Sequence, residues 1–423
     1  MRGHIAKKGS RYFVVVDVGY RPAQRCTDCA RRVWIERRPL DNCPKCGGEL
    51  VEREERRQKW HGGFATKREA QRALTGILGR LDAGTYIAPT RRTLGHYLGE
   101  WLPGIRHTIR ASTWESYERN VRSHVLPRLG HVHLEQLTAT ALNGLYADLV
   151  ESGRIDGKGN RAGKGPGLSP RTVHYIHTIL HRALKDAVED GLVVRNVAAS
   201  ARPPRQGASK RQEMQTWTPQ ELRAFLAHVA DDRLYPVFML AATTGMRRGE
   251  VLGLRWRDLD LAVGRLAIRQ TLIAVRHQAT FSEPKTGRGR RSVALDPATV
   301  ATLRAQRVHQ AEEKLAIGPH YRDDLDLVFA REEGSPLQPE AVTMVFDRRV
   351  ATSGLPRIRF HDLRHTHATL ALAAGVHPKV VSERLGHAGI AITLDTYSHA
   401  IPAMQEEAAG MVAKLVFGAA EPR

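Results

Sequence analysis

Four cysteines, the chain's whole complement, stand as two pairs, Cys26-x-x-Cys29 and Cys43-x-x-Cys46, with 13 residues between them. No other feature restricts a stretch of this sequence so tightly. Two CxxC turns at such a separation deliver four thiolates to one tetrahedral zinc. Pro44 within the second pair and Gly47-Gly48 after it suit the tight turn that aims backbone amides at thiolate sulfur. A redox dithiol and four ordinary buried cysteines are the alternative readings. A closed four-cysteine set leaves no open coordination position, so the metal expected here is structural. Since every cysteine falls in one place, a disulfide framework across the whole chain is excluded.

Basic residues crowd these pairs: Arg25, Arg31, Arg32, Arg37, Arg38 and Lys45. The excess extends along the chain. Lys and Arg number 65 against 44 Asp and Glu, a net charge of +21 over 423 residues of which 42% are hydrophobic. Such a composition can fold, so the charge marks a folded protein that meets a polyanion, nucleic acid first among the candidates. Residues 1–88 hold 19 basic and 10 acidic side chains, residues 89–210 hold 18 and 10, and residues 211–423 hold 28 and 24. Bulk phosphate affinity and its salt dependence are therefore expected from the first two regions. The best uncharged apolar run, 234–246, is closed by Arg233 and Arg247 and falls short of the ~18 residues of a membrane span. Asp17 interrupts the apolar patch at 12–16, and no small-residue cleavage site follows it. A cytoplasmic protein with no membrane partner is expected.

The length suggests about three domains. Residues 11–18 and 60–66 read as strands. Thr66 with Glu69 then forms a capping box ahead of Ala70, Ala73, Leu74, Ile77, Leu78 and Leu81 at helical spacing. Ala88-Pro89 reads as a linker. From 90 to about 210 the pattern is helical, clearest where Ser169-Pro170 opens a helix carrying Val173, Ile176, Leu180, Leu184 and Val188 and Gly191 stops it. A glycine-rich, basic loop covers 152–168, and 201–210 forms a second linker. Beyond it, helical patterns to about 256 precede strand-like segments at 265–275 and 290–295. Helices follow from 297 onward, including 359–374, 378–385 and an amphipathic 402–416.

The last region carries an ordered set of motifs. Thr244-Gly245-Met246-Arg247-Arg248-Gly249-Glu250 follows an apolar helix. Much later come Arg359-Phe360-His361-Asp362-Leu363-Arg364-His365, then Leu385-Gly386-His387, then Asp395-Thr396-Tyr397. One such piece alone is a weak signal; four in order are specific.

Together these residues resemble the tyrosine site-specific recombinases of the phage integrase (lambda integrase-like) family, over most of the chain. The family's motifs are an arginine in TGxR, a lysine in a β-hairpin, HxxR, an LGH histidine and a nucleophilic tyrosine nine intervening residues later. They match Arg247, Lys285, His361 with Arg364, His387 and Tyr397, and Glu250 matches an acid that supports the site. The resemblance implies a multidomain α+β chain. Residues 1–88 would form a small β-sheet-plus-helix arm-type DNA-binding domain with a zinc-knuckle insertion. Residues 89–205 would form an all-α core-binding domain, and residues 211–423 a mainly α catalytic domain with a small antiparallel sheet. The cysteine pairs depart from the usual N-terminal domain of the family.

The chemistry can also be argued from residue types. A DNA phosphodiester is an anion, so attack on it needs positive donors on the non-bridging oxygens as charge builds. The permanently charged planar forks of Arg247 and Arg364 suit that task. His361 and His387 can add a hydrogen bond or move a proton. Tyr397 as nucleophile needs a base and a positive field, because a phenol is protonated at neutral pH. Its 3′-phosphotyrosine product stores the bond energy, so resealing needs no nucleotide and no catalytic metal. Lys285, between two strand-like segments, is the general acid expected for the leaving 5′-oxygen. His365 and His399 lie beside motif residues but off the pattern, and core or hydrogen-bonding roles are expected of them. Arg248, about 100° around the helix from Arg247, reads as a surface charge.

The function implied is integration and excision of a mobile element between core-type and arm-type double-stranded DNA sites in a bacterial cell. A homo-tetramer on synapsed DNA would carry it out, with an accessory DNA-bending or directionality protein. The alternatives are a chromosome or plasmid dimer resolvase, which lacks the long basic N-terminal region, a type IB topoisomerase-like enzyme, and a non-catalytic DNA-binding regulator, which would not need Tyr397 with both arginines.

Overall fold

The computed structural model describes residues 3–35, 38–83, 86, 92–152, 167–205, 214–276, 278–284, 289–397, 410, 412, 413 and 415–417. Lys285, Arg37, His399, the Ala88-Pro89 linker, most of the glycine-rich loop, part of the 201–210 linker and most of 402–416 lie outside the described residues. The chain divides into two compact units, residues 1–109 with 116–206 and residues 110–115 with 207–423.

The first unit opens with an antiparallel sheet of β1 (Gly3–Lys8), β2 (Arg11–Cys26), β3 (Arg32–Trp34) and β4 (Leu50–Phe64). One edge of β2 pairs with β1 and, further along, with β3, while β4 runs along the other edge. Both long strands outrun the stretches that alternation marks in the sequence. A register shift between Asp17 and Tyr20, with Gly19 at φ 102°, breaks the period of β2, and β4 is mostly exposed and polar. The consequence concerns the cysteines. β2 ends on Cys26 itself, so the cysteine turns grow from the ends of the sheet's two longest strands. Buried Gln24 fixes the intervening loop, its side chain donating to Leu40 O and accepting from Leu40 N, both at 2.8 Å.

Helix α1 (Lys67–Asp82) starts with the expected box. The Thr66 hydroxyl accepts from Glu69 N and the Glu69 carboxylate from Thr66 N, each at 3.2 Å. Its Ala70, Leu74 and Ile77 bury against Val14 and Val16 of β2. A helical set follows: α2 (Leu94–Gly104), α3 (Ala111–Asn120), a π-turn at Val121–Val125, α4 (Leu126–Leu129), α5 (Ala139–Ser152) and α6 (Pro170–Glu189). Ser169 caps α6, whose stripe from Val173 to Ala187 is buried. Tyr97 and Trp101 of α2 tie to it, donating to Ala183 O at 2.6 Å and Asp186 Oδ2 at 2.7 Å.

The second unit is mainly helical: α7 (Pro219–His228), α8 (Tyr235–Thr244), α9 (Arg248–Leu252), α10 (Pro297–Ile317), α11 (Pro339–Thr352), α12 (Asp362–Ala373), α13 (Pro378–Leu385) and α14 (Ile390–Tyr397). The strand-like stretch expected at 265–275 is in fact two strands. β6 (Arg265–Ile268) joins β5 (Leu259–Asp260) and β9 (Arg291–Ala294) in one antiparallel sheet, and β7 (Thr271–Val275) pairs with β8 (Gln278–Ser282) as a hairpin. Gln270, between β6 and β7, anchors the break by donating to Gly253 O at 2.9 Å. Trp217, Phe225, Phe238, Phe346 and Phe360 form the centre of the main core, with ring centroids of 4.8 to 6.2 Å. Each contributes on the order of 2 kcal/mol of burial free energy or more. A smaller cluster joins Ala368, Leu372, Val381, Leu385 and Tyr397, the last two belonging to the motifs. Among the described residues, no helix is long and apolar enough to cross a membrane.

Candidate active site

Two helix ends build the floor of the site. Helix α8 stops at Gly245 (φ 65°) and α13 at Gly386 (φ 67°), both in the left-handed region that glycine enters at little cost. At Gly245 a Cβ would also fall 2.6 Å from Leu385 Cδ2 and 2.8 Å from His367 Cδ2. Carbonyls at helix C-termini lack intrahelical donors. Arg364 supplies them, donating through Nη1 to Gly245 O and through Nη2 to Leu385 O, both at 2.7 Å. Arg364 as a whole is 3% exposed. Burial and the like charge of Arg247 lower its pKa to about 9, so it stays charged at neutral pH. Each of its terminal nitrogens keeps a second N–H for an incoming anion.

Arg247 precedes α9 and is more open, its side chain 42% exposed. It donates to Glu250 twice, from the backbone at 2.9 Å and from Nη1 at 2.8 Å, and Nη2 reaches Gly386 O at 3.4 Å. Glu250 is buried, and Arg291 of β9 donates to its two carboxylate oxygens at 3.3 and 3.0 Å. Burial pushes the Glu250 pKa up, but the hydrogen bonds and charge of Arg291, together with Arg247, outweigh it and hold the carboxyl below its ordinary value. Arg291 is itself fixed by a 2.6 Å hydrogen bond to Arg384 O.

The histidines and the tyrosine surround this floor. His387 follows Gly386, with Nδ1 on Thr393 Oγ1 at 2.7 Å and its ring nearly parallel to that of Tyr397, 6.5 Å between centroids. Burial and three nearby arginines push its pKa down to about 4. Tyr397 ends α14 fully buried, and its hydroxyl lies 2.8 Å from His365 Nδ1. Burial raises the phenol to about 12, against the opposing fields of Arg364 and Arg247. His361 opens α12 with an exposed face, its ring edge-on to His365 at 5.2 Å. Below them, Arg384 Nε donates to His367 Nε2 at 3.3 Å, which assigns the remaining ring proton to Nδ1, facing Ala242 O at 3.1 Å.

Arg247, Glu250, His361, Arg364, His387 and Tyr397 thus lie in one region of the second unit, while Lys285 falls outside the described residues. Two further residues join the set: Arg291, to which the sequence assigns no role, and His365, of which only a core or hydrogen-bonding role is expected. Arg291 follows Arg288 and Arg290 in the sequence, and its bond to Glu250, 41 residues back, leaves no local signal. His365 had a signal in its i, i+4 spacing from His361, which puts both on one face of α12.

A second cluster lies in the first unit. Cys26 Sγ is 3.4 Å from Cys46 Sγ and Cys29 Sγ 3.6 Å from Cys43 Sγ, with all four sulfurs within 4.8 Å of one another. A tetrahedral thiolate site with bonds of ~2.3 Å has edges of ~3.8 Å, so the donor set has the right size. The two turns repeat one geometry. Ala30 and Gly47, each directly after the second cysteine of its pair, have φ 55° and 75°, and their amides donate back to Cys26 O and Cys43 O at 3.1 and 2.9 Å. Amides of Lys45 and Cys46 lower the Cys43 thiol to about 6 against the opposing effect of burial.

Residues 215–404 match the phage integrase family, and residues 93–149 match the phage integrase N-terminal SAM-like domain. A protein described as tyrosine recombinase XerC-like, from Caldanaerobacter subterraneus subsp. tengcongensis, is 28% identical across 83% of this chain and 90% of its own length. The integrase of Mycobacterium phage L5 is 25% identical over the same shares, 83% and 90%. The fold is similar to that of the Tn1549 transposon integrase solved in complex with circular intermediate DNA, with a TM-score of 0.58 at 20% identity over 75% of this chain and 99% of that one. With both domain matches falling in the expected order and relatives aligned over most of their length, the chain belongs to the phage integrase family of tyrosine recombinases.

Proposed function

We propose that this enzyme integrates and excises a mobile element by strand exchange between specific DNA sites through a 3′-phosphotyrosine. What supports the assignment of roles is the pairing of Arg364 and Arg247 on the carbonyls of Gly245, Leu385 and Gly386. It gathers three distant motifs and leaves guanidinium N–H groups for a phosphate. In this reading the two arginines bind the non-bridging oxygens of the scissile phosphate, and charge developing there is met by donors already fixed in place. His387 and His361 hydrogen-bond the same group. Tyr397 attacks phosphorus, the P–O5′ bond breaks, and Lys285 gives the 5′-oxygen its proton. Glu250 orients Arg247.

Zinc in the four-cysteine cluster would tie the ends of β2 and β4 together and so stiffen a sheet that meets DNA. Residues 1–88 would hold arm-type sites, 89–205 would bind the core site, 211–423 would carry the chemistry, and four protomers would act on two synapsed duplexes with an accessory DNA-bending or directionality protein.

The test is a nicked suicide duplex spanning the junction between the element that carries the gene and its host DNA. Wild type should form a covalent adduct on it and Tyr397→Phe none. Failure of wild type to form an adduct on any cognate junction overturns the proposal.

A further inference from the structure

Resting on the assignment of Tyr397 as nucleophile, we infer that His365 is the base that receives the phenol proton during strand cleavage. The geometry selects it. His365 Nδ1 lies 2.8 Å from the Tyr397 hydroxyl, and among the described residues no other side chain shares a hydrogen bond with that oxygen. His387 is the nearest competitor, but its Nδ1 is engaged by Thr393 and its ring lies parallel to the tyrosine, 6.5 Å away between centroids. His361 meets His365 edge-on at 5.2 Å and braces it without touching the phenol.

The protonation state agrees with that role. Burial lowers the His365 pKa, Asp362 opposes the shift, and Arg364 and Arg359 add to it, so the imidazole is neutral at neutral pH. With the ring proton on Nε2, Nδ1 accepts from the phenol O–H. The phenol is pushed up to about 12, so an ion pair is strongly disfavoured at rest. Proton transfer must therefore accompany bond formation. As the phenol oxygen forms its bond to phosphorus, the O–H proton passes to Nδ1, the P–O5′ bond breaks, and the 5′-oxygen takes a proton from the general acid. In resealing the flow reverses. The incoming 5′-hydroxyl gives up its proton, the tyrosine–phosphorus bond breaks, and the imidazolium of His365 returns its proton to the departing phenolate.

Single-turnover adduct formation on the nicked junction duplex tests this with wild type, His365→Gln, His365→Ala and Tyr397→Phe, on the natural phosphodiester and on a 5′-bridging phosphorothiolate. The thiolate leaves without an acid, so it rescues loss of the acid but not loss of the base. Both His365 variants should be slower by ~10²- to 10⁴-fold on both substrates. Wild type should lose rate as the pH falls below the ordinary histidine range, a limb the variants should lack. Free imidazole should restore part of the His365→Ala rate. Gln can still hydrogen-bond the phenol but cannot take its proton, so full activity of His365→Gln would reduce the residue to a structural one and overturn the inference. Faster cleavage by either variant would overturn it by making the contact a latch, and rescue by the phosphorothiolate would do so by making His365 an acid. An adduct from Tyr397→Phe would instead remove the nucleophile assignment beneath it.

Discussion

Arg291 donates to the buried carboxylate of Glu250 through both terminal nitrogens, at 3.0 and 3.3 Å, and thereby fixes the acid that holds Arg247. Both side chains are nearly sealed, 7% and 2% exposed. Removing Arg291 leaves a carboxylate sealed from water with Arg247 as its one remaining ion-pair partner among the described residues. Arg291→Ala should therefore cost about 3 kcal/mol in urea unfolding and slow strand cleavage ~10- to 100-fold by loosening Arg247. Arg291→Lys keeps the charge but loses the fork, and should fall between. A variant as stable as wild type would show that the pair holds nothing in place.

How much of this was legible in the sequence depended on where each residue's partner lies. Helix α1 could be read because Thr66 and Glu69 cap it three residues apart, and the motif residues because four short pieces match the family's motifs in order. Arg291 could not, since nothing within a few residues of it distinguishes it from Arg288 and Arg290. The length of β2 was hidden by the shift at Gly19, which moves the strand's alternation out of phase. The glycines at 245 and 386 appear in the motifs only as letters. Their left-handed turns are what present carbonyls to Arg364.

That presentation makes Gly245 sensitive. An alanine there would be strained at φ 65° and its Cβ would press on Leu385 and His367 at 2.6 and 2.8 Å. Gly245→Ala should cost about 2 kcal/mol or more of stability, read by thermal or urea unfolding, and should reduce cleavage by more than the same loss of stability elsewhere. An active variant with unchanged stability would mean that the turn is free to rearrange.

The second unit should also be acid-labile through its histidines. His367 and His387 are held neutral, with pKa values pushed by burial to about 4, below the ordinary 6.5. Between those values the unfolded chain binds more protons than the native one. Their contribution to stability is therefore complete above pH 6.5 and lost as the pH falls toward 4. Unfolding midpoints measured across that window should decline with acid, and His367→Gln should flatten the decline. A pH-independent midpoint would mean that these rings are charged in the native state.

A metal held by the cysteine cluster would stand apart from the chemistry, because the four sulfurs lie in the first unit and the motif residues in the second. Purified protein should carry one zinc per chain. Removing it with a strong chelator, or replacing Cys29 with Ser, should unfold the turns at the ends of β2 and β4 while adduct formation on a core-site duplex persists. Deleting residues 1–88 should likewise spare that reaction and abolish efficient integration. Ala30 offers a finer check. It occupies with φ 55° the place that Gly47 takes in the other turn, a conformation that costs a residue with a Cβ on the order of 1 kcal/mol. Ala30→Gly should therefore stabilise the metal-loaded domain slightly and slow zinc loss to a competing chelator. Faster loss would mean that the two turns do not share one geometry in solution.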